Sequence, residues 1–509
     1  MTAIQQQRVR NGKRKIAARL GPPMRGEHPQ PMLAGSNIHY EVSGRTQGVG
    51  VGGLGALHLF ARKIGLIEEL DAKLHLLKIH QPYHESDHVL AVAYNILAGG
   101  TCLDDLELLR NDSALLDALG ARRIPDPTTA GDFCRRFTFE DMDALWGVYD
   151  TIRQRVWRAQ PDGFFDQAIL DMDGSIVATH GECKAGMALS YNGIWGYHPL
   201  ILSLANTGEV LRIVNRSGNR PSHEGAHASV DDVVKMLKQA GFRKILVRGD
   251  TDFTQTKHLD RWTDDPQTWF IFGIDAMPNL VELAENQPET AWTPFARRPK
   301  PQPKTQPRRK PKNVKEQVVK ENGYLNKRLQ AEQISELRYQ PGSCDKQYRL
   351  VVIRKNVSVE KGELALFDDI VYHFFLTSDF ELPADVIVHL AHERCQQENV
   401  IEQLKNQVRA LTAPVDALDS NGAYMTMAAL AWNLKAWFAL LLPVTAGRWA
   451  QRHQEAKTAV LKMEFKAFVN HFIRIPCQII HAARKIVYRV LGWNPWLGDF
   501  LRAARALRR

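Results

Sequence analysis

Two apolar runs constrain this chain more than any other feature, because each ends in an aspartate. The first is Ala168-Ile-Leu-Asp-Met-Asp173, followed by Gly174-Ser175; the second is Lys244-Ile-Leu-Val-Arg248, closing on Gly249-Asp250. Short runs of this kind, bounded by turn residues, read as buried strands. Between them lie two more strand-like runs, Ile194 to Leu204 and Glu209 to Val214, separated by the turn Asn206-Thr-Gly208, and then a helical segment from Val230 to Ala240. A helix around Thr254 to Trp262 and a strand, Trp269 to Ile274, follow, giving the order β-β-β-α-β-α-β. The first three strands are joined tightly enough for an antiparallel meander, with helices only afterwards. An open α/β sheet gathers its chemistry at the carboxyl ends of its strands, so Asp173 and Asp250 are expected at one edge.

At 509 residues the chain is too long for one core. A net charge of +10 favours a polyanionic partner. The six cysteines show no zinc-like or redox spacing, which points to a reducing compartment without structural zinc. The run Ala423 to Leu442 is long enough to span a bilayer, but Asn433 and Lys435 at its middle favour a buried helix.

The organisation expected is an α/β protein in six stretches: a disordered basic arm (1–36), a helical N-terminal domain (37–160), the first part of a mixed-sheet core (161–276), a β-rich insertion (277–383), a helix closing the core (384–410) and a helical C-terminal region (411–509). Within the insertion, residues 297–320 carry ten Lys or Arg against one acid, with five prolines. Such a stretch cannot bury enough surface to fold alone, and it suits phosphate contact through Arg308, Arg309 and Lys310.

On the closing helix, at 100° per residue, Arg394 and Lys405 lie within about 40° and 20° of Glu398, so all three share one stripe. With Asp173 and Asp250, Glu398 makes a third carboxylate able to converge on a hard cation. Asp171 shares a strand face with Asp173 and is either a supporting residue or the alternative ligand; Ser175 after Asp173 favours the latter acid. Asp252 is a supporting candidate, while Trp292, His223 and His392 read as structural residues.

These blocks carry a resemblance. Arg394-x3-Glu398-x6-Lys405, Asp173-Gly-Ser175 and Val247-Arg-Gly-Asp250-Thr-Asp-Phe253 resemble the DDE transposases of bacterial insertion sequences, above all the group with a Tyr-x2-Arg-x3-Glu-x6-Lys signature; Ala391 stands where the tyrosine would be. Gly196-Tyr-His-Pro-Leu200, Arg216-Ser-Gly-Asn219 and Phe374-Phe-Leu-Thr-Ser378 agree with it. The resemblance implies a ribonuclease-H-like core, catalytic and metal-binding Asp173, Asp250 and Glu398, and two Mg²⁺ (or Mn²⁺) ions per site. It also implies Arg394 and Lys405 on DNA phosphates, cleavage at terminal inverted repeats with joining of the 3′-OH to target DNA, a homodimer on double-stranded DNA, no membrane, and a bacterial cytoplasmic, nucleoid-associated setting. Two other readings compete. Leu170-Asp-Met-Asp-Gly-Ser175 resembles the loop of haloacid-dehalogenase-like phosphatases, with Asp171 as nucleophile and Asp173 as acid/base. The other is a catalytically silent DNA-binding protein derived from a transposase.

Overall fold

The computed structural model describes residues 3–19, 21, 38–44, 46–298, 314–362, 364–483 and 485–508. Helix α1 spans Ala3–Arg19, so the first part of the expected disordered arm is helical. Its Ala, Gln, Arg and Lys content favours helix, and Gly12 lies close against Trp493. The N-terminal region is helical, as the apolar spacing implies. Its longer elements are α2 (Glu85–Ala98), which closes on Gly99 at φ +105°, and α3 (Phe139–Trp157), capped by Thr138.

The strands that follow are β1 (Gln167–Gly174), β2 (Leu200–Leu204) and β3 (Glu209–Val214); after helix α4 (Ala226–Ala240) come β4 (Lys244–Gly249) and β5 (Thr268–Ile274). Their order across the sheet is β3-β2-β1-β4-β5. The β1–β2 and β2–β3 pairs are antiparallel, and the β1–β4 and β4–β5 pairs are parallel. The run expected as one strand from Ile194 to Leu204 is two, because Pro199 separates Trp195–Tyr197 from β2, and the earlier piece joins a small separate sheet. The helix expected around Thr254 to Trp262 is short 3₁₀ turns and one helical turn, Leu259–Thr263.

Three long strands, β6 (Leu325–Tyr339), β7 (Tyr348–Lys361) and β8 (Leu364–Thr377), form an antiparallel ribbon. At its inner end Phe374–Thr377 pairs with Ile274–Ile271 of β5, so the ribbon continues the central sheet. Residues 299–313, including Arg308, Arg309 and Lys310, lie outside the described residues.

Two helices, α5 (Ala384–Glu393) and α6 (Cys395–Asn406), replace the single helix expected through Lys405; the chain turns at Arg394. Helix α7 (Leu418–Leu440) is buried from Ser420 to Leu440. Its polar residues have partners. Asn433 accepts from Val210 N and donates to Val210 O, both at 2.9 Å, closing the outer edge of β3. Lys435 donates to Leu461 O and lies over Trp432, and burial lowers its pKa to about 8. No single helix among the described residues is long and apolar enough to cross a membrane. The C-terminal region is not wholly helical: β9 (Cys477–Ala482) and β10 (Lys485–Val490) form a hairpin that pairs with Gln47–Val49. Pro476 bars helix entry, and the Ile- and Val-rich segments after it suit strands.

Glu209 joins these layers. It is fully buried, and its carboxylate accepts from Trp157 Nε1 (2.9 Å) on α3, Trp437 Nε1 (2.7 Å) on α7 and Thr207 Oγ1 (2.6 Å). Glu209→Leu strands these donors at about 1–3 kcal/mol each. Denaturant unfolding should show a loss of at least about 3 kcal/mol for Glu209→Leu, and a smaller one for Glu209→Gln, which keeps one acceptor oxygen.

Candidate active site at the carboxyl edge of the sheet

The parallel β1–β4 pair carries both strand-end aspartates to one edge. Asp173 Oδ1 accepts from Gly174 N (2.8 Å), and Asp250 Oδ1 accepts from Asp252 N (3.1 Å). This leaves the two Oδ2 atoms facing a common cation. Arg394, at the turn between α5 and α6, places Nη1 3.3 Å from Asp173 Oδ2 and Nη2 3.8 Å from Asp250 Oδ2. Burial raises the pKa of Asp173 to about 6, with Arg394 opposing the shift and Asp250 adding to it. Asp250 is also raised, by burial first, against the pull of Arg394. Lys405 is near enough to feel Asp173, although burial lowers its pKa.

Two carboxylates turned toward one positive group form an all-oxygen donor pair suited to a hard divalent cation, with the guanidinium in the cation's place. Glu398 is not drawn into that pair. It is exposed on the first turn of α6 and makes no ion pair or hydrogen bond among the described residues. Among the described residues, no three His, Cys, Asp or Glu side chains are grouped closely enough to hold one ion. What seats α6 is its neighbour Gln397, which is buried and donates to Asp171 O (3.3 Å) and Ile201 O (3.0 Å).

Asp171 has a different role. Arg248, its register partner on β4, holds both its oxygens at 2.7 and 2.8 Å, with both side chains buried. Arg248 Nη1 also donates to Leu390 O (2.6 Å), fastening α5 to the sheet. Such a carboxylate is a scaffold element rather than a ligand or a nucleophile. The phosphatase reading therefore loses its attacking group, and the chain after Asp173 enters antiparallel strands where that reading needs a helix. Sequence reasoning missed this pair; the signal was a lone cation inside a buried strand, which requires a buried acid.

The remaining candidates are structural in their contacts. Ser175 is buried, its N–H held by Pro199 O. Asp252 accepts from Ser222 Oγ at 2.9 Å. The backbone carbonyl of His223 accepts from Gln255, and His392 packs edge-on against Phe375. Trp292 is buried beneath Arg354, 4.4 Å from its ring centre, and Ala391 packs in the apolar cluster under α5.

In metal-free protein, Asp171→Asn should cost about 3–5 kcal/mol, because it leaves Arg248 buried without its counter-charge. Asp173→Asn should instead raise the melting temperature at neutral pH, since it removes a desolvated carboxylate. The folded-state pKa of Asp173 is raised, from 3.8 to about 6, so the native protein binds the extra proton and stability falls as pH rises through that window. Thermal melts between pH 4 and pH 7 should show this fall in the unaltered protein and its reduction in Asp173→Asn.

The sequence model of a family described as "Transposase DDE domain group 1" matches residues 30–509. No curated protein matches the chain. Among solved structures, a cryo-EM piggyBac transposase synaptic complex with hairpin DNA is 10% identical, with 82% of this chain and 81% of that chain covered; its TM-score of 0.34 is too low to bear on the fold. On the near-complete family match, this chain is a member of the Transposase DDE domain group 1 family.

Proposed function

We propose that the protein is a DNA transposase that cleaves at the terminal inverted repeats of a bacterial insertion sequence and joins the 3′-OH ends to target DNA by two-metal-ion phosphoryl transfer. The observation that carries this reading is the convergence of Asp173 Oδ2 and Asp250 Oδ2 on the Arg394 guanidinium at the edge of a parallel strand pair. The strand order β3-β2-β1-β4-β5, antiparallel on one side of β1 and parallel on the other, supports a ribonuclease-H-like core.

DDE transposases generally use divalent metal ions. In this reading Asp173 and Asp250 hold the ions, with Glu398 as the third acid, on the first turn of the helix that starts beside Arg394. When bound, a pair of Mg²⁺ or Mn²⁺ ions supplies the charge that activates the attacking oxygen and stabilises the leaving one. With ions held by the carboxylates, Arg394 would be free to face the phosphate of the scissile strand, and Lys405 would neutralise charge beside Asp173. Arg308, Arg309 and Lys310, in the basic stretch, add phosphate contacts in this reading. Double-stranded DNA, both transposon ends and target, is the partner, bound by a homodimer in the bacterial cytoplasm at the nucleoid.

The test uses duplexes tiled across the DNA flanking the coding region, incubated with full-length protein and Mg²⁺. Nicking at the ends of matching inverted repeats is expected. Asp173→Asn, Asp250→Asn and Glu398→Gln should each lower its rate about a thousand-fold, the effect of losing several kcal/mol of transition-state stabilisation. Unchanged nicking by Glu398→Gln would remove the three-acid mechanism. Binding without nicking under any divalent ion would favour a silent DNA-binding protein.

A further inference from the structure

Helix α1, Ala3–Arg19, carries six Lys or Arg and no acid. Its seat is narrow. Val9, Gly12 and Ile16 are half-buried, and the rest of its described side chains are exposed. Val9 packs on the main core, and at Gly12 an added Cβ would stand 3.1 Å from Cβ of Trp493. At 100° per residue these three positions share a stripe about 60° wide. The helix is therefore fixed to the body along one side and free on the others. None of its six cations makes an ion pair or hydrogen bond among the described residues.

Charge makes this an unfavourable place to pack. The segment around Trp493, residues 485–508, holds five Lys or Arg against one acid, Asp499. Arg502 already takes that acid in an ion pair of 2.7 Å. Elsewhere exposed arginines are answered by neighbours, as Arg110 is by Glu107 and Arg220 by Glu224. Two positive segments held together repel each other, and a polyanion lying across them relieves the repulsion. Charge complementarity thus selects the occupant of the free side. An anionic membrane suits it poorly, because the apolar stripe of α1 is turned inward, onto the protein.

The arrangement of the free side chains adds a shape to that charge. Around the helix, Arg8, Lys15 and Arg19 form one row, and Arg10 and Lys13 form another about 170° away. Between the rows, about 160° from the anchored stripe, stand Gln7, Asn11, Arg14 and Ala18, all exposed. Two cation rows flanking a stripe of amide and guanidinium groups match the major groove of B-DNA. That groove, about 12 Å wide, admits a helix, with phosphates along both walls and base edges on its floor. Gln and Asn pair with adenine edges and Arg with guanine. We infer that α1 lies in the major groove of the transposon end, its two cation rows on phosphates and Gln7, Asn11 and Arg14 on base edges. The inference rests on the transposase reading above for the identity of that DNA.

The test measures binding of full-length protein to duplexes from the flanking DNA by fluorescence anisotropy across a KCl series, without divalent ions so that no strand is cut. Two variants are compared with unaltered protein: Arg8→Ala/Lys15→Ala/Arg19→Ala and Gln7→Ala/Asn11→Ala. The side chains replaced are exposed, and equal melting temperatures confirm the fold. Removing three phosphate contacts should make the slope of log K against log[KCl] shallower by about 2.7. The amide variant should keep the slope but lower the preference for a repeat-end duplex over an unrelated one about ten-fold. A triple variant with unchanged slope and affinity would overturn the inference, while nicking of flanking duplexes in Mg²⁺ by unaltered protein would leave the transposase reading intact. An unchanged preference in the amide variant would overturn the groove seating. Loss of binding to phosphatidylglycerol vesicles by the triple variant, with its DNA binding intact, would also overturn it, assigning α1 to a membrane surface. Unaltered protein whose DNA binding depends on α1 as expected, yet which nicks no flanking duplex, would support the groove contact and remove the transposase reading.

Discussion

The geometry of the sheet's carboxyl edge depends on the buried guanidinium of Arg248. One side chain ties three segments together: it sits on β4, takes both oxygens of Asp171 on β1, and donates to Leu390 O near the end of α5. Asp173 lies two residues beyond Asp171, Asp250 two residues beyond Arg248, and Arg394 four residues beyond Leu390. Each of these three side chains is thus a short step along the chain from the same ion pair. Burying two charges is costly, and the return is orientation more than stability.

The two aspartates at the edge are kept uncomfortable by design of the surroundings. Burial pushes both carboxyls upward in pKa, and Arg394 bridges them. Their remaining oxygens accept from backbone N–H groups of residues that follow them, Gly174 and Asp252. A pair so arranged is short of positive charge and already aimed, which is what a site for hard cations requires. Stability is recovered elsewhere, where Glu209 and Asn433 bind α3, the meander and α7 into one buried unit.

Much of this was legible where local pattern and burial agree. Asp173 and Asp250 stood at the ends of apolar runs, and Asn433 and Lys435 marked an apolar helix as interior rather than membrane-spanning. Other features depend on partners distant in the chain. The Asp171–Arg248 pair joins residues 77 apart and appears only once the register of β1 and β4 is known. The turn at Arg394 interrupts a pattern that is helical on both sides, so spacing alone ran one helix through it. Pro476 and the Ile- and Val-rich segments after it were local signals for the β9–β10 hairpin, but the pairing of β9 with Gln47–Val49, over 400 residues earlier, is one that no window of sequence can report. Placement of Glu398 likewise depends on how α6 leaves that turn, and side-chain spacing carries no information about it.

The ribbon of β6, β7 and β8 has a mechanical meaning. A strand of 14 residues, such as β7, runs about 46 Å, longer than the roughly 34 Å of one turn of B-DNA. Because β8 is hydrogen-bonded directly to β5, the ribbon is a cantilever built into the sheet rather than a tethered arm. Force applied at its far end is delivered to Ile271–Ile274, in the strand beside the one that presents Asp250. The bulges at Leu329/Ala331 and Val359/Glu360 lie toward the ribbon's far end, so the bend and added twist they introduce fall away from the pairing with β5.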